Sequence, residues 1–417
     1  MKNRETLLTA TEAPYEVITG SVTTPLGFRA GGLHCGLKKT DRNDLGAIVC
    51  DVPATAAAVY TTNAFQAAPL VVTRASLAEA GTLRAVIVNS GNANACTGKQ
   101  GEADAYRMRS GFAEQLGAVP HEVAVASTGV IGEPLKMECV ERGMAALPAQ
   151  LTAEADGAEK FAQAILTTDL VKKEACVAVT VNGKTVTVAG AAKGSGMIHP
   201  NMATMLGFVT TDAAIERSAL ERLLRQTTDV TFNMITVDGD TSTNDMLLAM
   251  ASGLAGNEPL HEGHPDWAAF AAAFRYICGQ LAQAIARDGE GATKLIEVNV
   301  TGAATEDAAR AIAKSIIGSS LVKSAAFGAD ANWGRIIAAV GYSGQPVNVD
   351  TVDIHIGPIE VLKQSTPVPF DEEAALDYLK GDTVHIKVDL HMGSGEATAW
   401  GCDLTYDYVR INAAYRT

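Results

Sequence analysis

Between Pro265 and Gly289 apolar side chains return every three or four positions, at Trp267, Phe270, Phe274, Ile277, Leu281 and Ile285. That spacing puts them on one face of a long amphipathic helix. Asp288-Gly289 ends it and leaves Glu290 in the loop just beyond. Ser218 and Glu221 stand three apart, ahead of Leu223 and Leu224, and predict a second helix entered through a capping box. Short apolar runs at Arg84–Asn89, Val123–Ala126, Leu295–Val300, Val352–Ile356 and Val384–Leu390 predict strands. Cys176–Val181 and Lys184–Val188 flank Asn182-Gly183, a pair suited to the two positive-φ positions of a type I′ hairpin turn. Strands interleaved with helices throughout give an α/β or mixed α+β protein. No short-period repeat and no low-complexity linker interrupts the pattern.

The length, 417 residues, exceeds one ordinary compact core and predicts two domains or two intertwined layers. Charged residues are only 19% and glycines number 39, which fits a compact chain with many tight turns rather than a disordered one. The net charge of −14 and the lack of any Lys/Arg-rich run argue against a nucleic-acid partner, because phosphate binding needs a basic surface. The start, MKNRETLLTATEAPYE, lacks a signal-peptide core, and no stretch is apolar for the length of a membrane span. Seven scattered cysteines without a CxxC pair read as reduced, mostly buried thiols, so the expected location is cytoplasmic.

Several metal and phosphate motifs fail on spacing. Lys193-Gly194-Ser195-Gly196 is not a P-loop, since it lacks the GxxxxGK[ST] order. His261-Glu-Gly-His264 has a histidine spacing of three, not the four of HExxH, and sits among Pro259, Gly263 and Pro265. Asp238-Gly239-Asp240 and Asn244-Asp245 lack EF-hand spacing. No metal site is expected.

The most unusual stretch is Ala191–Asp212, AAKGSGMIHPNMATMLGFVTTD, in which a glycine loop and Pro200-Asn201 lead to a strand-like run from Thr204. Taken by itself, ATML would only open a strand. Lys193 through Leu206, however, matches the K-G-S-G-M-I-x-P-N-M-A-T-M-L signature, and here the chain resembles the ornithine acetyltransferase (glutamate N-acetyltransferase) family of arginine biosynthesis. Further matching blocks are Asn89–Gly98, Ser127–Pro134, Asn233–Asp245, Asp288–Lys294, Phe327–Ile336 and Gly393–Thr417, so the resemblance covers essentially the whole chain.

The resemblance implies self-cleavage between Ala203 and Thr204, into chains 1–203 and 204–417. These would form two interwoven domains of layered sheets and helices, assembled as a heterotetramer of two such pairs. A threonine hydroxyl is a weak nucleophile that needs an adjacent base. Cleavage would free the Thr204 amine, whose pKa near roughly 8 lets part of it accept the hydroxyl proton at neutral pH. The family implies Thr128 and Gly129 as oxyanion donors, through a hydroxyl and a backbone N–H. It implies Thr167, Lys193, Thr204, Glu290, Asn412 and Thr417 as substrate contacts, with the register between Thr167 and Thr168 left open. Lys193 would meet a carboxylate and Glu290 an ammonium group. The implied reaction moves acetyl from N2-acetyl-L-ornithine to L-glutamate through an ester on Thr204. No cofactor is implied, although some members also use acetyl-CoA as co-substrate. The competing expectation is an N-terminal-nucleophile aminopeptidase or amidohydrolase of related architecture, which would pass its acyl group to water.

Overall fold

A computed structural model of the chain describes residues 13–199 and 205–414. Ala203, Thr204 and Thr417 lie outside these residues. The strands, in chain order, are β1 (Tyr15–Val17), β2 (Phe28–Leu33), β3 (Leu45–Tyr60), β4 (Thr82–Asn92), β5 (Val123–Val130), β6 (Lys173–Val181), β7 (Lys184–Lys193) and β8 (Leu206–Thr211). They continue as β9 (Ile235–Thr236), β10 (Met246–Ala251), β11 (Leu295–Ala303), β12 (Asp353–Ile356), β13 (Ile359–Lys363), β14 (Thr366–Pro367), β15 (Thr383–Asp389) and β16 (Gly395–Cys402).

Two sheets form among the described residues, and the mixed α/β class expected above is what they build. The larger runs β1-β6-β7-β8-β10-β3-β4-β5, with β2 added beside β3. The smaller runs β14-β13-β12-β15-β11-β16-β9. In the larger sheet β8 is central: it pairs antiparallel with β7, from Lys193↔Leu206 to Val188↔Thr211, and parallel with β10, from Met246↔Leu206 to Ala251↔Thr211. All six residues of β8 are buried. That accounts for its continuous run, LGFVTT, without polar alternation.

The apolar stripe between Pro265 and Gly289 forms the helix Trp267–Arg287, which buries Phe270, Phe274, Ile277, Leu281 and Ile285. It lies on β6 and β7 and reaches β16, so its core joins residues of both sheets, from Val188 to Leu295 and Cys402. The Asn182-Gly183 turn has φ of 49° and 68°, as a type I′ turn requires, and joins β6 to β7 with Val181 opposite Lys184. No described helix is long and apolar enough to cross a membrane.

Two expectations need correction. The helix expected at Ser218 begins at Arg217 with Glu216 as N-cap, and it makes no side-chain cap hydrogen bond. Glu221 does not reach back to the helix start; its carboxylate accepts from Arg217 Nε at 2.8 Å across one turn. The strand expected to stop at Ala126 runs to Val130, because Ser127, Thr128 and Gly129 stay paired with β4 through a bulge at Gly91/Asn92. Thr128 and Gly129 therefore belong to the strand itself.

Phe274 is fully buried in the core shared by the two sheets. Phe274→Ala should cost about 3–5 kcal/mol through lost burial and the cavity left behind. Thermal unfolding checks this as a clear fall in Tm, while the exposed Phe65→Ala should leave Tm nearly unchanged.

Candidate active site

The strand β7 delivers Lys193 to the end of the larger sheet, where the chain leaves for Gly194 and Ser195. A cavity of about 320 Å³ opens there. Thr128, Gly129, Thr167, Lys193, Glu290 and Asn412 all line it, as do Thr168 and Met205. Six residues singled out in the sequence, spread over nearly three hundred positions, thus meet at one place. The other three, Ala203, Thr204 and Thr417, lie outside the described residues. Met205, which follows Thr204 directly in the sequence, accepts a backbone hydrogen bond from Met246 at 2.9 Å. On the other side of the junction, the His199 carbonyl accepts from Thr241 Oγ1 at 2.8 Å.

Lys193 is buried, and its ammonium donates to Thr167 Oγ1 at 2.8 Å and to Thr128 Oγ1 at 3.3 Å. Burial pushes its pKa down, against the pull of Asp169, whose carboxylate is 4.0 Å away. Because Thr128 Oγ1 accepts from Lys193, its own hydroxyl proton is free to be donated elsewhere. Gly129 has φ of +135°, and a Cβ there would overlap the backbone of Gly91 and Asn92. Only glycine fits at that point of the β4–β5 pairing.

Behind Lys193 lies a buried charge cluster that the sequence reading did not find. Lys173, fully buried, donates to Asp169 Oδ1 at 2.8 Å and to Asp288 Oδ2 at 2.6 Å. Asp169 also accepts from the Gly194 and Thr167 backbone N–H groups at 2.7 and 3.0 Å. Asp288 accepts from the Leu170 N–H at 3.0 Å. Burial alone would raise the Asp169 pKa, but the Lys193 and Lys173 charges and these hydrogen bonds outweigh it and hold the carboxyl well below the usual range. The two lysines and two aspartates balance in charge. Glu290 is then a further carboxylate at the cavity wall, fixed by its backbone N–H donating to the Ser195 carbonyl and by Asn412 Nδ2 donating to its side chain at 2.8 Å.

Three more groups complete the wall. Asn244 donates through Nδ2 to the carbonyls of Ala93 and Ser127, at 2.6 and 2.9 Å, and so anchors the strand that carries Thr128. Ser242 and Asp245 line the cavity beside it. The Asp238 carboxylate accepts from the N–H groups of Met197 and Ile198, at 2.7 and 2.9 Å, and shapes the glycine loop. His264, of the His261-Glu-Gly-His264 segment, contacts Asn182 Oδ1 at 3.0 Å in a turn.

The family model described as ArgJ family matches residues 29–417. The arginine biosynthesis bifunctional protein ArgJ of Geobacillus kaustophilus is 62% identical over 413 residues, covering 98% of this chain and all of the relative. The protein of the same description from Bacillus subtilis is 56% identical over 400 residues, covering 96% of this chain and 97% of the relative. A crystal structure of arginine biosynthesis bifunctional protein ArgJ from Bacillus halodurans is 64% identical, with a TM-score of 0.50, and it covers 51% of this chain and 100% of that one.

Removing one partner from a buried ion pair leaves an uncompensated charge and costs about 3–5 kcal/mol. Asp169→Asn should therefore lower Tm sharply at neutral pH. The folded Asp169 pKa lies below the unfolded value of roughly 3.9, so its contribution is fully present above that value and is lost as pH falls through the folded pKa. Thermal unfolding of both proteins from pH 7 down to pH 3 should show the Tm gap holding to about pH 4 and narrowing below it.

Proposed function

The chain belongs to the ArgJ family, and on that premise we propose that it moves an acetyl group from N2-acetyl-L-ornithine to L-glutamate through an ester on Thr204. The observation that carries the reading is the convergence of Lys193, Thr128, Glu290 and Asn412 on one cavity that also takes in Met205, the residue after Thr204. Cleavage of the Ala203–Thr204 bond would free an amine beside the hydroxyl, so one residue would supply both nucleophile and base. In the mechanism the Thr204 hydroxyl attacks the acetyl carbonyl while that amine takes its proton. The negative charge on the tetrahedral oxygen is met by the Thr128 hydroxyl and the Gly129 N–H. Lys193, by donating to Thr128 Oγ1, frees the Thr128 proton for that oxygen and strengthens it as a donor.

Substrate recognition follows from the charges. With Asp169, Lys173, Asp288 and Lys193 balanced among themselves, Glu290 is available for an ammonium group such as the ornithine side chain. The remaining N–H of Lys193 is available for a substrate carboxylate. Both contacts gain strength where water is excluded. The relatives' description as bifunctional suggests a second activity, acetylation of glutamate from acetyl-CoA.

Cleavage would not separate the two pieces, because β8 would stay paired with β7 of the first piece and β10 of the second. The Bacillus halodurans chain, matched along its full length to 51% of this one, has about the share that either fragment would have. We further propose a cytoplasmic enzyme of two cleaved pairs. The exposed Tyr406 and Val409 on helix Tyr406–Ala413, next to the cavity through Asn412, offer a surface for the second pair.

Purified protein should run as two fragments, each near half of 43.4 kDa, one of them beginning Thr-Met-Leu-Gly. Thr204→Ala should stay a single, inactive chain. Initial rates with N-acetylornithine and glutamate should give the parallel double-reciprocal lines of a ping-pong reaction. A single uncut chain with full activity, or steady acetate release without glutamate, would contradict the reading.

A further inference from the structure

Asp245 stands directly before β10, and its backbone is fixed: its carbonyl accepts from the Thr61 N–H at 3.0 Å. The parallel β8–β10 register, Met246 opposite Leu206, sets Asp245 level with Met205, at the end of β8 that follows the junction. The residue is 3% exposed and lines the cavity with Lys193 and Thr128. One carboxyl oxygen, Oδ2, is buried and has no hydrogen-bond partner among the described residues. A buried polar atom left unpaired costs about 1–3 kcal/mol, so its persistence at a cavity wall calls for a ligand. Among the neighbouring groups, Asn244 is spent on two carbonyls, while Glu290 and the remaining N–H of Lys193 are the contacts read above for the substrate's ammonium and carboxylate.

We propose that Asp245 is a further catalytic residue, the carboxyl group that hydrogen-bonds the reacting amino nitrogen and exchanges a proton with it as acetyl leaves and arrives. This rests on the acetyl-transfer reading above. Burial raises the Asp245 pKa well above the usual carboxylate value, against the opposing effects of Ser242 and Lys193, which favours the acid form that the proton transfer needs. In the first half-reaction the Thr204 hydroxyl proton passes to the Thr204 amine, the ester C–O bond forms and the amide C–N bond breaks. The departing nitrogen takes the Asp245 proton and leaves as a neutral amine. In the second, the acceptor enters as a free amine, its nitrogen forms the new C–N bond and gives one proton to the Asp245 carboxylate. The ester C–O bond breaks, and the Thr204 ammonium returns its proton to Oγ1. Both groups end as they began, and no further reactant is needed.

A proton donor matters for an amine leaving group and not for a phenolate. The test compares Asp245→Asn with wild type, both self-cleaved, in single-turnover acetylation from N-acetylornithine and from p-nitrophenyl acetate, with Thr204→Ala as background. The variant should be at least about a hundredfold slower with the amide and within about threefold with the ester. Equal slowing with both donors would assign Asp245 a packing role and overturn the proposal, as would no slowing with either. Should the Asn variant fail to fold, Asp245→Ala, which removes volume rather than adding it, is measured the same way with the same expected split. Wild type that never takes acetyl from N-acetylornithine would overturn the acetyl-transfer reading and this proposal with it. Wild-type transfer with an unchanged variant would overturn the proposal alone.

Discussion

The strand β8 is held by backbone hydrogen bonds on both edges, with β7 on one side and β10 on the other. The side of the site that carries Lys193 and Asp245 depends on that clamp. β7 ends in Lys193, β10 is preceded by Asn244 and Asp245, and β8 is preceded by Met205. Three neighbouring strand ends therefore set three groups of side chains around one cavity. Neither edge of β8 relies on the peptide bond between residues 203 and 204. A chain end can be created there without releasing the strand, which is the condition an N-terminal nucleophile has to meet.

The charges behind the cavity work in the same direction. Asp169 and Lys173 lie before the junction in sequence and Asp288 lies after it, and their contacts of 2.6 and 2.8 Å are closed to solvent. Buried ion pairs are weak contributors to net stability, because desolvation offsets much of the attraction. Their value here is positional. Asp169 binds the Gly194 N–H and faces Lys193, so the turn that ends β7 and the ammonium pointing from it are fixed by one carboxylate. Lys193 in turn sets the Thr128 hydroxyl, and Asn244 holds the Ser127 carbonyl one residue earlier. A donor aimed in advance at developing charge needs little reorganisation when the charge appears.

Much of this was legible in the sequence where a period or a turn chemistry speaks for itself. The stripe from Trp267 to Ile285 gave its helix, and Asn182-Gly183 gave its turn, because both signals are local. Thr128, Lys193, Glu290 and Asn412 could be named only through the family resemblance, since nothing local distinguishes them from solvated or turn residues. The Asp169–Lys173–Asp288 cluster was out of reach. Asp169 and Lys173 are an ordinary i, i+4 pair in sequence, and Asp288 reads as a helix end, so only the fold shows that all three are buried together. Ser218 and Glu221 misled for a related reason: Arg217 supplies a nearer partner for the Glu221 carboxylate than the helix start does. The strand at Val123–Ala126 read short because the pairing of Ser127–Gly129 with β4 is a long-range fact.

In the proposed mechanism acetyl rests on Thr204 between the two half-reactions. Mass spectrometry of the fragment beginning at Thr204, after incubation with N-acetylornithine alone, tests it most directly. One added acetyl group is expected on that fragment, located at its first residue, and it should disappear when glutamate is added. An unmodified fragment from enzyme that is turning over, or acetyl found on another residue, would contradict it.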